Sequence, residues 1–116
     1  MKKQNNHRTS LLAHYKPLLN ETICELIKRR RRQIMVHSFI YYRIGTSLIS
    51  DKTFDNWAYE LKDLQLKYPN ESKNTELYNE FKDWDGTTGY YLDTYIFEHV
   101  AQRLLRIGGN NEYPKI

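Results

Sequence analysis

Breakers of regular structure are scarce in this chain. Three prolines and five glycines serve 116 residues, which argues against a turn-rich all-β fold and for helices. The single cysteine, Cys24, excludes an intramolecular disulfide and a two-cysteine metal motif. It is read as a reduced, mostly buried thiol. No apolar run approaches the ~18 residues of a membrane span, and the first residues lack the apolar core of a signal peptide. A cytoplasmic location is therefore expected, with no membrane partner. Also missing are a glycine-rich phosphate loop, a nucleophile–base pair and a compact metal-ligand motif. On that ground catalysis is not expected.

What is present is typical of a folded domain. Hydrophobic residues make up 40% and charged residues 28%, a globular balance. Ten tyrosines, four phenylalanines and two tryptophans are many for this length, and tyrosine suits cores and binding surfaces alike. The net charge of +4 is unevenly spread. Residues 1–36 hold nine basic against two acidic side chains, or +7; the remainder hold nine against twelve, or −3. A basic front half points to an anionic partner.

Periodicity divides the chain into three parts. Residues 1–18 read as a flexible basic arm or a short helix near 11–15, residues 19–109 as one helical domain, and residues 110–116 as a polar tail. Within the domain a long helix is expected over 21–44, with Asn20 as N-cap and Gly45 as its stop. Its apolar stripe is Ile23, Leu26, Ile27, Ile34, Ser38 and Tyr41. A second helix is expected over 51–68, capped by Ser50, with the clearest stripe: Phe54, Trp57, Ala58, Leu61, Leu64 and Tyr68. Pro69 and Asn70 should end it. The short connection makes these two an antiparallel hairpin. A third helix near Asn74 should carry Leu77, Tyr78, Phe81 and Trp84. The turn 85–89 and a last helix over 90–107, with Ile96, Val100, Leu104 and Ile107 on one face, complete an all-α fold of about four helices.

The stretch 37–70, HSFIYYRIGTSLISDKTFDNWAYELKDLQLKYPN, resembles the N-terminal domain of bacterial NAD-dependent DNA ligases. That family has a helix ending in Tyr-His or Tyr-Tyr, a loop ending in Ser-Asp or Pro-Asp, then x-x-Tyr-Asp, a leucine-rich helix and a His-Pro or Tyr-Pro stop. In the ligases this domain grips the nicotinamide mononucleotide half of NAD. The resemblance carries the family's contact positions onto Tyr41, Tyr42, Asp51, Phe54 and Asp55. Tyr42 stands where many ligases have histidine, and Phe54 where they have tyrosine. His37, one turn before Tyr41, could face the same pocket. The ligand implied is nicotinamide mononucleotide or NAD, with no cofactor required. The chemistry is intelligible from the residues: an aromatic face attracts the cationic ring, and carboxylates accept from ribose hydroxyls. Asp51 and Asp55 are equally explained as acids complementing a helix N-terminus, and Tyr41 and Phe54 as core.

Ligase activity itself is not expected. The nucleophilic lysine of the ligases sits in Lys-x-Asp-Gly, whereas the look-alike here is Asp83-Trp84-Asp85-Gly86. A carboxylate cannot form the lysyl phosphoramidate, and 116 residues leave no room for the other ligase domains. Standalone versions of the domain in phages and mobile elements suggest a bacterial-host setting.

The strongest charge signal is Lys28, Arg29, Arg30, Arg31 and Arg32. Five consecutive helical residues turn through more than a full circle, so at least one arginine must face the apolar stripe and snorkel or pair with a carboxylate. Glu25 is the one local counter-charge, at helical spacing from Arg29. The run is either a salt-bridged collar or a contact for phosphates or an acidic protein surface. Three functions follow as expectations. The first is a non-catalytic phage-type protein that inhibits or modulates a host machine, such as a CRISPR nuclease or another nucleic-acid-handling effector, through the basic helix and surface aromatics. The second is a nicotinamide-nucleotide binding module. The third is direct nucleic-acid binding through the arginine run. Should the run prove to be only a collar, the functional surface is expected among Tyr78, Tyr90, Tyr91 and Tyr95.

Overall fold

A computed structural model describes residues 17, 18 and 20–109. The arm expected over 1–18 lies outside the described residues apart from Pro17 and Leu18, and so does the tail 110–116. The fold is all-α, with no strand among the described residues.

The first helix, α1, spans Ile23–Phe39. It starts later than expected because Thr22, not Asn20, is the N-cap. The Thr22 hydroxyl accepts from the Glu25 backbone N–H at 3.1 Å, and the Glu25 carboxylate accepts from the Thr22 N–H at 2.8 Å. This reciprocal capping box satisfies two orphan donors of the first turn. Asn20 instead sits at φ 64°, a left-handed conformation that suits asparagine better than most residues. After Phe39 the chain continues as a π turn, Ile40–Ile44, closed by Gly45 at φ 90°. The Gly45 N–H donates to the Ile40 carbonyl at 3.0 Å. This wider turn lies outside the register of α1, and Tyr41 on it is exposed rather than part of the buried stripe.

The second helix, α2, spans Asp51–Lys67, with Ser50 as N-cap accepting from the Thr53 N–H at 3.1 Å. Trp57, Ala58, Leu61 and Leu64 are buried, and Phe54 and Tyr68 pack against them. Cross-contacts pair Arg31 with Gln65, Arg30 with Glu60 and His37 with Trp57. Arg30 and Arg31 meet Glu60 and Gln65, whereas His37, further along α1, meets Trp57, earlier on α2, so α1 and α2 form the antiparallel hairpin.

Past Tyr68 the expected pattern changes. α2 ends at Lys67, ahead of Pro69 as expected, but Pro69 then opens a separate short helix, α3, Pro69–Lys73, in the first-turn position where its missing N–H does no harm. The expected third helix is reduced to one turn, α4, Tyr78–Phe81, because Leu77 before it adopts φ 71°. The turn 85–89 holds as anticipated. Gly86 has φ 86°, and the Asp85 carboxylate accepts from the Thr87 N–H at 2.9 Å and its hydroxyl at 2.7 Å. Those two bonds hold the Asp85 pKa below the usual carboxylate range.

The last helix begins eight residues later than expected. The Leu92 N–H donates to the Gly89 carbonyl and the Thr94 N–H to the Leu92 carbonyl. A 3-10 turn, Thr94–Phe97, then leads into α5, Glu98–Gly109. The shift rotates the stripe. Phe97, Val100, Ala101, Leu104 and Leu105 face inward, while Ile96 and Ile107 are exposed.

α1 is the central helix. α2, α3, α5 and the 3-10 turn all pack on it. Residues 34–40 are buried without interruption, the signature of a helix enclosed on all sides. One apolar cluster joins Leu26, Ile27, Ile34 and Met35 to Leu61, Leu64 and Phe81. A second joins Val36, Phe39 and Ile40 to Ala101 on α5.

Candidate functional site

The arginine run is drawn into the molecule. Arg31 is fully buried, and its guanidinium donates to five acceptor atoms. Nε reaches Gln65 Oε1 at 2.9 Å, Nη1 the carbonyls of Thr75 and Glu76 at 3.0 and 2.9 Å, and Nη2 the Ser72 carbonyl and hydroxyl at 3.1 and 2.6 Å. Burial lowers its pKa to about 10, so it stays charged at neutral pH. Arg30 is also buried. It pairs with Glu60, donates to Gln33 and lies over the Trp57 ring at 5.4 Å. Burial, only partly offset by Arg30, raises the Glu60 pKa.

The flanking arginines make bidentate pairs. Arg29 binds Glu21 at 2.8 and 2.9 Å, and Arg32 binds Glu76 at 2.7 and 3.0 Å. Each arginine holds its partner's pKa below the usual glutamate range. The partner of Arg29 is therefore Glu21, not Glu25, whose carboxylate is committed to the cap. Lys28 is exposed. Counter-charges invisible to local spacing come from 8, 30 and 44 residues away.

A different set of residues converges on a cleft between the π turn and the first turns of α2. His37, Tyr41, Tyr42, Asp51, Phe54 and Asp55 all line it, in a volume of about 250 Å³. Ser47, Ile49 and Ser50 from the connecting loop and Thr87 from the turn 85–89 complete the wall. Local structure explains the convergence. The π turn presents Tyr41 and Tyr42, the Ser50 cap fixes where α2 begins, and helical spacing then puts Asp51 and Asp55 one turn apart.

The wall is partly rigid. The Tyr42 and Thr88 hydroxyls are 2.7 Å apart, the Trp84 indole donates to the Thr88 carbonyl at 2.7 Å, and the Tyr41 and Tyr42 rings meet edge to face at 4.8 Å. Tyr41 is 54% exposed, so part of its ring borders solvent. His37 is buried beside Trp57, with ring centroids 5.6 Å apart and no hydrogen-bond partner for Nδ1. Burial pushes its pKa down to about 4, and the imidazole is neutral at pH 7. Thr87 was not among the sequence candidates. The turn chemistry of 85–89 is readable, but only packing brings that turn to the cleft. Gly89 seats it: a Cβ there would lie 1.8 Å from Ser38 Oγ.

Among the described residues no group of three or more His, Cys, Asp or Glu is placed to hold a metal ion, and no helix is long and apolar enough to cross a membrane. Comparison with protein-family models, curated proteins and solved structures gives no match to this chain.

Proposed function

We propose that this protein is a non-catalytic binding module for a nicotinamide nucleotide, with nicotinamide mononucleotide as the minimal ligand. One observation carries the reading. The five positions implicated by the ligase resemblance, together with His37, line a single cleft although they come from two helices and a π turn.

The cleft suits such a ligand. At about 250 Å³ it lies just below the ~300 Å³ at which small-molecule pockets begin, a size for a ring and its sugar rather than a whole dinucleotide. A nicotinamide ring linked to ribose is cationic. The exposed Tyr41 face would attract it by about 0.5–2 kcal/mol, and Asp51 and Asp55 would add favourable charge and accept from the ribose hydroxyls. Macromolecular binding through Lys28 and the four arginines has less behind it, because all four guanidinium groups already have acceptors within the fold.

Isothermal titration calorimetry with nicotinamide mononucleotide tests the proposal. Saturable heat is expected in the micromolar-to-millimolar range, lost in Asp55→Ala and in Tyr41→Ala. Silence up to millimolar ligand would retire the proposal, and undiminished binding by both variants would move the site elsewhere.

A further inference from the structure

The exposed arginines that lack a carboxylate lie outside the conspicuous run, whose Arg31 is buried on neutral acceptors. Among the described residues, the ion pairs engage Arg29, Arg30 and Arg32 and leave out Arg43, Arg103 and Arg106. Arg43 makes one hydrogen bond, to the Tyr90 carbonyl at 3.2 Å, and its guanidinium lies 5.1 Å from the Tyr90 ring and 5.7 Å from the Tyr95 ring. Tyr90 meets Tyr91 edge to face at 5.0 Å. Tyr95 in turn opens a shallow groove of about 490 Å³ along α5, shared with His99, Gln102, Arg103 and Arg106. The sequence of contacts Tyr91, Tyr90, Arg43, Tyr95 and then the α5 groove is continuous. Its tyrosines are 87%, 46% and 55% exposed in that order. Glu98 is the acid in the groove, set against Arg103 and Arg106, which make no ion pair among the described residues.

Exposed aromatics beside cations fit a ligand with flat π faces joined by regularly spaced negative charges. We infer that the strip Tyr91, Tyr90, Arg43, Tyr95, Arg103 and Arg106 binds single-stranded nucleic acid, bases stacking on the tyrosines and phosphates meeting the arginines. Such stacking tolerates any base, so the binding is of low sequence specificity. A duplex offers its phosphates but not its base faces and is bound less well. The strip touches the cleft wall where Tyr90 meets Tyr42 edge to face at 5.3 Å, but none of its six residues lines the cleft, and the inference stands or falls independently of the nicotinamide reading.

Fluorescence anisotropy with a short labelled oligothymidylate, against a duplex of equal length, is the test. The single strand is expected to bind more tightly. With three arginines engaged, the log–log salt slope should be near −2, about −0.7 for each phosphate. Tyr91→Ala should weaken binding about fivefold or more, the loss of one stacked base. Arg103→Gln with Arg106→Gln should weaken it and flatten the slope to about −0.7. Tyr91, Arg103 and Arg106 are exposed, so both variants should keep the wild-type circular dichroism spectrum. Absence of binding at low salt would overturn the inference. So would equal affinity for the duplex, or wild-type affinity in both variants.

Discussion

Replacing Arg31 by methionine separates an arginine run that is structural from one that is a solvated collar. Arg31 is wholly enclosed, and its donors serve Gln65 and the backbone of the segment around Ser72, Thr75 and Glu76. Methionine restores most of the bulk but none of the donors. Each buried acceptor stranded by the change costs about 1–3 kcal/mol, with partial relief where water enters. A net loss of about 3–5 kcal/mol follows, comparable to breaking a buried ionic interaction. Against a total stability of about 5–15 kcal/mol, that lowers the melting temperature by about 10–20 °C. Arg32→Gln breaks a pair whose side chains are 45% and 43% exposed and should lose under about 1 kcal/mol. The assay is urea unfolding followed by far-ultraviolet circular dichroism and tryptophan fluorescence. If Arg31→Met unfolded within about 1 kcal/mol of the wild type, or no more easily than Arg32→Gln, the buried role assigned to Arg31 would be wrong.

Three further outcomes are expected. His37 has its pKa lowered from 6.5 to about 4 by burial, so the unfolded chain binds its proton more tightly than the folded one. Its contribution is complete above pH 6.5 and is lost as pH falls towards 4, about 3 kcal/mol across the window. Stability curves at pH 7 and pH 5 should differ in that sense, and His37→Gln should flatten the difference. Gly89→Ala places a methyl 1.8 Å from Ser38 Oγ and 2.6 Å from its Cβ. It should destabilise by about 1–3 kcal/mol, with recovery in the Ser38→Gly double variant; additive losses in the pair would show that the two positions do not meet. Tyr42→Phe removes the 2.7 Å contact with Thr88 and should lose about 1 kcal/mol by the same urea assay.

The parts of the fold that were legible are those governed by local chemistry. The Ser50 cap, the stripe of α2 and the stop at Gly45 follow from residue type and spacing, and the structure has all three. What was not legible depends on partners far along the chain. Nothing near residue 31 announces that carbonyls 41 to 45 residues later will receive its guanidinium. A stripe cannot reveal a helix buried on every side, so Val36, Phe39 and Ile40 of the second cluster were absent from the expected core. The late start of α5 also has a tertiary cause. Gly89 is pressed against Ser38, and the hydrogen-bonded turn from Gly89 to Thr94 replaces a first helical turn. The candidate cleft occupies a middle position. His37, Tyr41, Tyr42, Asp51, Phe54 and Asp55 are readable in the sequence, whereas the loop residues Ser47, Ile49 and Ser50 are not marked there as lining a site and Thr87 reaches it only through packing.

The central claim, a nicotinamide-nucleotide site in the cleft, is tested most directly by amide NMR of the labelled protein during titration with nicotinamide mononucleotide. The account predicts saturable shifts concentrated at His37, Tyr41, Tyr42, Ser50, Asp51, Phe54, Asp55 and Thr87, with Arg29 through Arg32 and the α5 groove unmoved. Shifts that centre on another surface, or none at millimolar ligand, would contradict it.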